Sequence, residues 1–164
     1  MPSFTVLAVN PGSTSTKIAV YEDEKPLFTV LIEHNDAALA PYKTIIDQFP
    51  MRKEAVLSAL EDKRFELSRL SAVVGRGGML PPVNAGGYPV NQAMKDCILG
   101  GKIPSHASNL GALLADAIAS PLGIPAYIYD AVSSDEFKPI ARITGIPEVV
   151  RQSFCHVLNS KAVA

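Results

Sequence analysis

Hydrophobic and polar positions divide the chain into short blocks. Residues 5–9, 17–21 and 27–32 are apolar runs rich in β-branched side chains, and the turn-forming stretch 22–26 separates the second from the third. They predict three consecutive strands. Residues 34–40 read as a connector and 41–49 as a short helix that Pro50 interrupts. An amphipathic helix follows over 51–64, with Ala55, Val56, Ala59 and Leu60 at helical spacing. Residues 70–75 form a continuous apolar run ending in Gly75, the pattern of a strand covered on both faces. A helix is expected over 91–99, ended by Gly100 and Gly101. A stronger one follows Ser108, with Leu110, Leu113, Leu114, Ala117 and Ile118 on one face and Pro121 and Gly123 as its stop; Gly111 and Ala115 would let its backbone pack closely. Residues 126–129 read as a strand that delivers Asp130 to its C-terminal end. A last helix is expected from Pro147, with Val150, Phe154, Val157 and Leu158 as its stripe, running to Ala164 without a stop signal, which suggests that the natural chain continues.

This order, with no repeat, linker or low-complexity tract, predicts an α/β fold. An antiparallel meander would form one side of a mixed sheet and right-handed crossovers the other, with helices covering both faces. The stretch 75–89 is dense in Gly and Pro and too long for an idle connection, so it is a candidate functional loop.

Composition narrows the function. A chain of 164 residues that is 48% hydrophobic and 19% charged supports one packed domain. A formal net charge of −1 without a basic stripe argues against nucleic-acid binding, so any anionic ligand must be held locally. Cys97 and Cys155 suit neither a disulfide scaffold nor a metal site and are expected as reduced, buried thiols. No signal peptide and no run of membrane-spanning length is present, which points to the cytoplasm.

The candidate chemistry starts between the first two strands. Asn10, Gly12, Ser13, Thr14, Ser15 and Lys17 gather backbone N–H groups, hydroxyls and one ammonium around a tight turn, a set suited to phosphate; an ordinary hairpin with solvated hydroxyls is the alternative. A P-loop is excluded, because Ile18 follows Lys17 and the turn joins two strands. Asp130, at the end of a strand opposite this turn, could hold magnesium through water, or cap a helix or turn that begins at Ala131, Val132, Ser133 and Ser134. Arg76 sits among glycines that would let a ligand approach, and its planar fork suits a carboxylate; a surface arginine in a loop is the alternative. Met79, Leu80, Pro81, Pro82 and Val83 could wall a short acyl chain or pack the loop. His34 reads as solvated, His106 as a structural hydrogen bonder or a site residue, and His156 as a core histidine or a site residue.

Several segments resemble the acetate and butyrate kinases of the actin, hexokinase and sugar-kinase superfamily: Asn10 to Lys17, then 73–91, 103–115, 128–137 and 143–164. The details are similar to butyrate kinase. Where acetate kinases carry His-Arg-Val-Val-His-Gly-Gly and Gly-Phe-His-Gly-Thr-Ser-His types of segment, this chain has Gly75, Arg76, Gly77, Gly78 and Ser153, Phe154, Cys155, His156. The resemblance implies a ribonuclease H-like mixed five-stranded sheet with helices on both faces. Residues 1–164 would be the N-terminal actin-like ATPase-type domain, with a second, C-terminal domain absent from this chain.

It also implies ATP and Mg2+ as cofactors, a short-chain carboxylate or acyl phosphate as partner, no nucleic-acid or membrane partner, and a homo-oligomer at full length. Phosphate would pass reversibly between ATP and a butyrate-like acid, and the isolated chain would be inactive. Asn10, Gly12, Ser13, Thr14, Ser15 and Lys17 are then the nucleotide side, Asn10 and Asp130 the metal side, and Arg76, Asp130 and His156 the catalytic set. Asn10 stands where many ATPases of the superfamily carry Asp; a carboxylate acceptor already lacks a proton and needs no base. A non-catalytic binding domain of the same fold and another kinase or ATPase of the superfamily are the alternatives.

Overall fold

The computed structural model describes residues 3–164. The three apolar runs form the expected meander, β1 (Thr5–Pro11), β2 (Ser15–Glu22) and β3 (Lys25–Glu33). Burial along β1 alternates without exception, Thr5, Leu7, Val9 and Pro11 being buried and the residues between them half-buried. The register pairs Leu7 with Val20 and Val9 with Ile18, which puts one apolar row on one face and, one residue out of phase, Ala8–Ala19 and Asn10–Lys17 on the other.

β4 (Ala72–Arg76) joins β1 in parallel, β6 (Ala126–Tyr129) joins β4 in parallel, and β5 (Gly87–Pro89) pairs antiparallel with β6. The described residues thus form a six-stranded sheet, ordered β3-β2-β1-β4-β6-β5, rather than the five strands expected. The extra strand lies inside the Gly- and Pro-rich stretch, whose composition argues against a strand; at a sheet edge Pro89 needs no ladder partner for its missing N–H.

The helices are α1 (Asp36–Leu39), α2 (Phe49–Asp62), α3 (Gln92–Leu99), α4 (Leu110–Ala119) and α5 (Val157–Val163). Three expectations change. The connector 34–40 holds α1, because the Asn35 side chain accepts from the Ala38 N–H and caps it. The helix expected over 41–49 reduces to a single 3-10 turn, and Pro50 does not interrupt a helix but sits in the first turn of α2, where its missing N–H costs nothing. The last helix starts at Val157, not near Pro147. Val149, Val150 and Phe154 are exposed, and without a surface to pack on, a short amphipathic segment is marginal.

The core lies on one face of the sheet. Leu7, Val9, Ile18, Val20, Val73 and Ile128 point into it, covered by α2 and α4, with α3 tied to α4 by the Lys95–Asp116 ion pair at 2.8 Å. Helix α4 comes close because two glycines meet: a Cβ on Gly75 would lie 2.0 Å from the Gly111 carbonyl oxygen, and one on Gly111 would lie 2.1 Å from that of Arg76. Helices on both faces is therefore true unequally, since among the described residues the helix that lines the cleft on the other face is the short α5, through Asn159. Cys97 and Cys155 are free thiols, but Cys97 is half-buried and Cys155 exposed, not buried as expected. Among the described residues no helix is long and apolar enough to cross a membrane.

Candidate active site

The less covered face carries a cleft of about 280 Å3. Ala8 and Ala19, paired across β1 and β2, are too small to fill the space above the sheet, and together with Val74 they line it; Tyr21 and Tyr129 line it too. Asn10 and Lys17, the next cross-strand pair, Arg76 at the end of β4 and Asp130 just after β6 also line it, with Asn159 from α5. The C-terminal ends of the three parallel strands β1, β4 and β6 meet here, the usual place for a ligand in an open α/β sheet.

Asp130 occupies a backbone conformation that few side chains adopt, with φ at 54°. Such a residue persists where its surroundings over-determine it. Its Oδ1 accepts the amides of Leu158 (3.0 Å) and Asn159 (3.3 Å) at the start of α5, and its Oδ2 lies 3.3 Å from Arg76 Nη2. The expected local cap over the residues that follow Ala131 does not form among the described hydrogen bonds; Asp130 instead caps a helix distant in sequence. One oxygen fixes α5, and the other fixes Arg76 beside the cleft.

His156 Nδ1 lies 2.7 Å from the Asp130 carbonyl oxygen and 3.1 Å from Arg76 Nε. These two contacts demand opposite states of one nitrogen. The carbonyl only accepts and is nearer, which assigns the proton to Nδ1. Burial pushes the imidazole below its ordinary value, opposed by the Asp130 carbonyl bond and carboxylate and aided by the Arg76 charge and His106, so His156 is neutral near pH 7. Its side chain touches Arg76 and Asp130 and does not line the cleft.

The turn residues are placed differently. Gly12, Ser13, Thr14 and Ser15 stand at the hairpin tip beyond the cleft, and Thr14 and Ser15 line a separate hollow with His34 and Asp36. Beneath the tip lies Arg52 of α2, fully buried. Its Nη1 donates to the carbonyls of Gly12 (2.8 Å) and Ser15 (3.0 Å) and to Thr16 Oγ1 (3.1 Å). Its Nη2 donates to the Ser13 carbonyl (2.8 Å) and Gln48 Oε1 (2.9 Å), and Nε to the same Gln48 oxygen (3.0 Å). Sequence reasoning missed Arg52, although a signal existed: it stands four, seven and eight residues before Val56, Ala59 and Leu60, in phase with the buried stripe.

His34, expected in solvent, is buried, with Nε2 2.9 Å from Thr16 Oγ1. Thr16 shares the buried phase of β2 with Ile18 and Val20, and His34 follows it inward. Burial, then the neighbouring Arg52 charge, push the His34 pKa below its ordinary value.

The glycines around Arg76 serve packing rather than ligand approach. A Cβ on Gly77 would lie 2.6 Å from the Ala131 Cα, and one on Gly78 2.2 Å from Asn109 Oδ1. Asn109, another residue the sequence did not flag, accepts the Met79 amide (2.8 Å) and donates to the Pro104 carbonyl (2.9 Å), pinning the loop. Met79, Leu80, Pro81 and Pro82 line a different cleft with Ile103 and Phe154, so they do not wall the one that holds Arg76. His106 has a structural role, Nδ1 accepting the Ser108 amide at 3.2 Å.

Among the described residues no three His, Cys, Asp or Glu side chains form a metal cage. Among the described residues Asp130 is the one carboxylate lining the cleft, beside the neutral Asn10. That sparse oxygen set suits magnesium, which keeps several waters and takes few protein ligands.

Over nearly its whole length the chain is similar to butyrate kinases. It is 49% identical over 162 residues to a probable butyrate kinase of Clostridium botulinum (strain Eklund 17B / Type B), covering 99% of this chain and 46% of that protein. It is 48% identical over 161 residues to butyrate kinase 2 of Clostridium acetobutylicum, covering 98% and 45%. The chain thus spans under half the length of these curated relatives. No family model matches it. Among solved structures it shares the fold of the Porphyromonas gingivalis acetate kinase, with a TM-score of 0.59 at 18% identity over 97% of this chain and 48% of that one. The Entamoeba histolytica acetate kinase gives 0.58 at 15% over 98% and 46%.

Proposed function

We propose that this chain is the first domain of a longer, cytoplasmic, ATP-dependent kinase that phosphorylates short-chain carboxylates of the butyrate type, giving acyl phosphate and ADP. The observation that carries the reading is the meeting of Asn10, Lys17, Arg76 and Asp130 in one cleft at the C-terminal ends of β1, β4 and β6. Identity of 49% to a protein named butyrate kinase supports the substrate class, and coverage of 46% of that protein supports a further domain.

In this reading the acceptor carboxylate attacks the terminal phosphorus of ATP, the P–O bond to ADP breaks, and no proton has to move. Catalysis then rests on position and charge. The Arg76 guanidinium, oriented by Asp130 at 3.3 Å, offers its remaining N–H groups to the acceptor carboxylate. Lys17 lends positive charge to the group in transit, and Asn10 offers an amide where a second carboxylate would repel it. Neutral His156, holding the Asp130 backbone, keeps Arg76 and Asp130 in register without adding charge. Magnesium, which Asp130 and Asn10 would hold through water, neutralises phosphate charge when bound.

The test is hydroxylamine trapping of acyl phosphate by the full-length protein with acids of increasing chain length. Hydroxamate is expected with four-carbon acids, and none with any acid overturns the reading. The 164-residue chain alone is expected to turn over negligibly, and robust turnover by it would remove the second domain from the proposal.

A further inference from the structure

We propose that Arg52 is the positioning residue of the hairpin tip: by gripping the carbonyls of Gly12 and Ser13 from beneath, it turns the N–H groups of Ser13 and Thr14 outward as a paired donor for phosphoryl oxygens. This rests on the phosphoryl-transfer reading above and adds to it the residue that aims the turn.

The geometry follows from the peptide plane. In a trans peptide the C=O of one residue and the N–H of the next point in opposite directions, and the described chain has no cis peptide. Arg52 Nη1 holds the Gly12 carbonyl at 2.8 Å, so the Ser13 N–H points away from the guanidinium. Nη2 holds the Ser13 carbonyl at 2.8 Å, so the Thr14 N–H does the same. These two amides have no hydrogen-bond partner among the described residues, whereas the next carbonyl, that of Thr14, is taken by the His34 amide at 2.8 Å. Ser13 and Thr14 are at the surface. A turn that gives the Gly12, Ser13 and Ser15 carbonyls to one cation presents the amides between them to an anion on the other side.

The charge itself supports the assignment. Among the described residues every hydrogen-bond acceptor of Arg52 is a neutral oxygen, from three carbonyls, one hydroxyl and the Gln48 amide, and no carboxylate pairs with it. Burying an arginine without a counter-charge is costly, and Leu or Met would continue the α2 stripe through Val56, Ala59 and Leu60 without that cost. A cation held just behind the turn does what an apolar residue would not: it fixes two peptide planes and adds positive potential where an anion would dock. Lysine could not replace it, since a single ammonium cannot span three carbonyls and an amide oxygen in one plane.

The test is a titration of the protein, 15N-labelled at serine and threonine, with inorganic phosphate. The Ser13 and Thr14 amides are expected to shift together and saturably. Arg52→Lys is expected to retain the fold by circular dichroism and bind phosphate roughly tenfold more weakly, with smaller shifts at both amides. Lys17→Ala is expected to weaken binding while leaving the phosphate-free positions of those two signals unchanged. Should Arg52→Lys fail to fold, Gln48→Leu takes its place, removing the oxygen that orients the guanidinium while keeping its charge; weaker phosphate binding with displaced Ser13 and Thr14 signals is expected, and unchanged ones overturn the proposal. Phosphate that moves other amides but not these two overturns the proposal, as does a folded Arg52→Lys protein with unchanged affinity. Absence of any hydroxamate would instead sink the carboxylate-kinase reading and leave this titration standing.

Discussion

The two faces of the sheet in this protein are built from the same strands and differ in almost every other respect. One face, through Leu7, Val9, Ile18, Val20, Val73 and Ile128, is sealed by α2 and α4, each of these side chains being 0 or 1% exposed. The other, one residue out of phase, carries Ala8, Asn10, Lys17, Ala19, Tyr21, Val74, Arg76 and Tyr129 around an open cleft. Alternation along a strand assigns stability to one phase and chemistry to the other, so the two can be perturbed separately. Arg52 is the exception that joins them: a residue of the sealed side whose contacts reach the tip of the hairpin.

The largest effect on stability is expected from Gly75→Val. The new Cβ would sit 2.0 Å from the Gly111 carbonyl oxygen, and backbone cannot move aside there without lifting α4 from β4. A loss of about 3 kcal/mol or more is expected in urea unfolding. A protein of unchanged midpoint would show that the sealed face tolerates slack.

Arg52→Met ranks next. It leaves the Gly12, Ser13 and Ser15 carbonyls without their partner, and roughly 2 to 3 kcal/mol should be lost, read as a lowered urea midpoint.

A smaller effect attaches to pH. His34 and His156 both have pKa values lowered by burial first. The unfolded chain therefore binds protons more readily than the folded one. Stability is complete above the ordinary imidazole value of 6.5 and falls as pH drops below it. His34→Gln should flatten that slope in pH-dependent urea unfolding, and an unchanged slope would take His34 out of the account.

The smallest effect on stability belongs to Lys17→Ala, on the open face. The midpoint should move by no more than about 0.5 kcal/mol. In the full-length protein the same substitution should nevertheless cost acyl phosphate formation by at least about a hundredfold, as loss of one charge-stabilising group does. Equal losses in stability and turnover would erase the distinction between the faces.

Local pattern carried much of this in plain view. The meander, the strands that include Val73 and Ile128, the helix after Ser108 and the arrival of Asp130 at a strand end follow from periods of two and 3.6 and from Gly and Pro at the stops. Asn10, Lys17, Arg76 and Asp130 were legible as candidates because polar groups at strand ends and in turns have few local reasons to be there. β5 was not legible, because its three residues pair only with what another element offers. Nor were the tertiary roles of the glycines, since Gly77 and Gly78 read the same whether the neighbour is a ligand or Ala131 and Asn109.

What the sequence by itself determined is which residues face the same way along each element, since backbone stereochemistry sets that without reference to the rest of the chain. That already places Asn10 with Ala8 and opposes both to Leu7 and Val9, and it puts Arg52 in line with Val56. Only the tertiary structure decided what those directions meet. An arginine in an apolar stripe becomes bearable when three carbonyls of a distant turn close over it, and a histidine after a strand becomes buried when a threonine and that arginine lie beneath it. Hydrogen-bond satisfaction between segments far apart in the chain has no local signature, and it is what fixes the tip of the hairpin over Arg52.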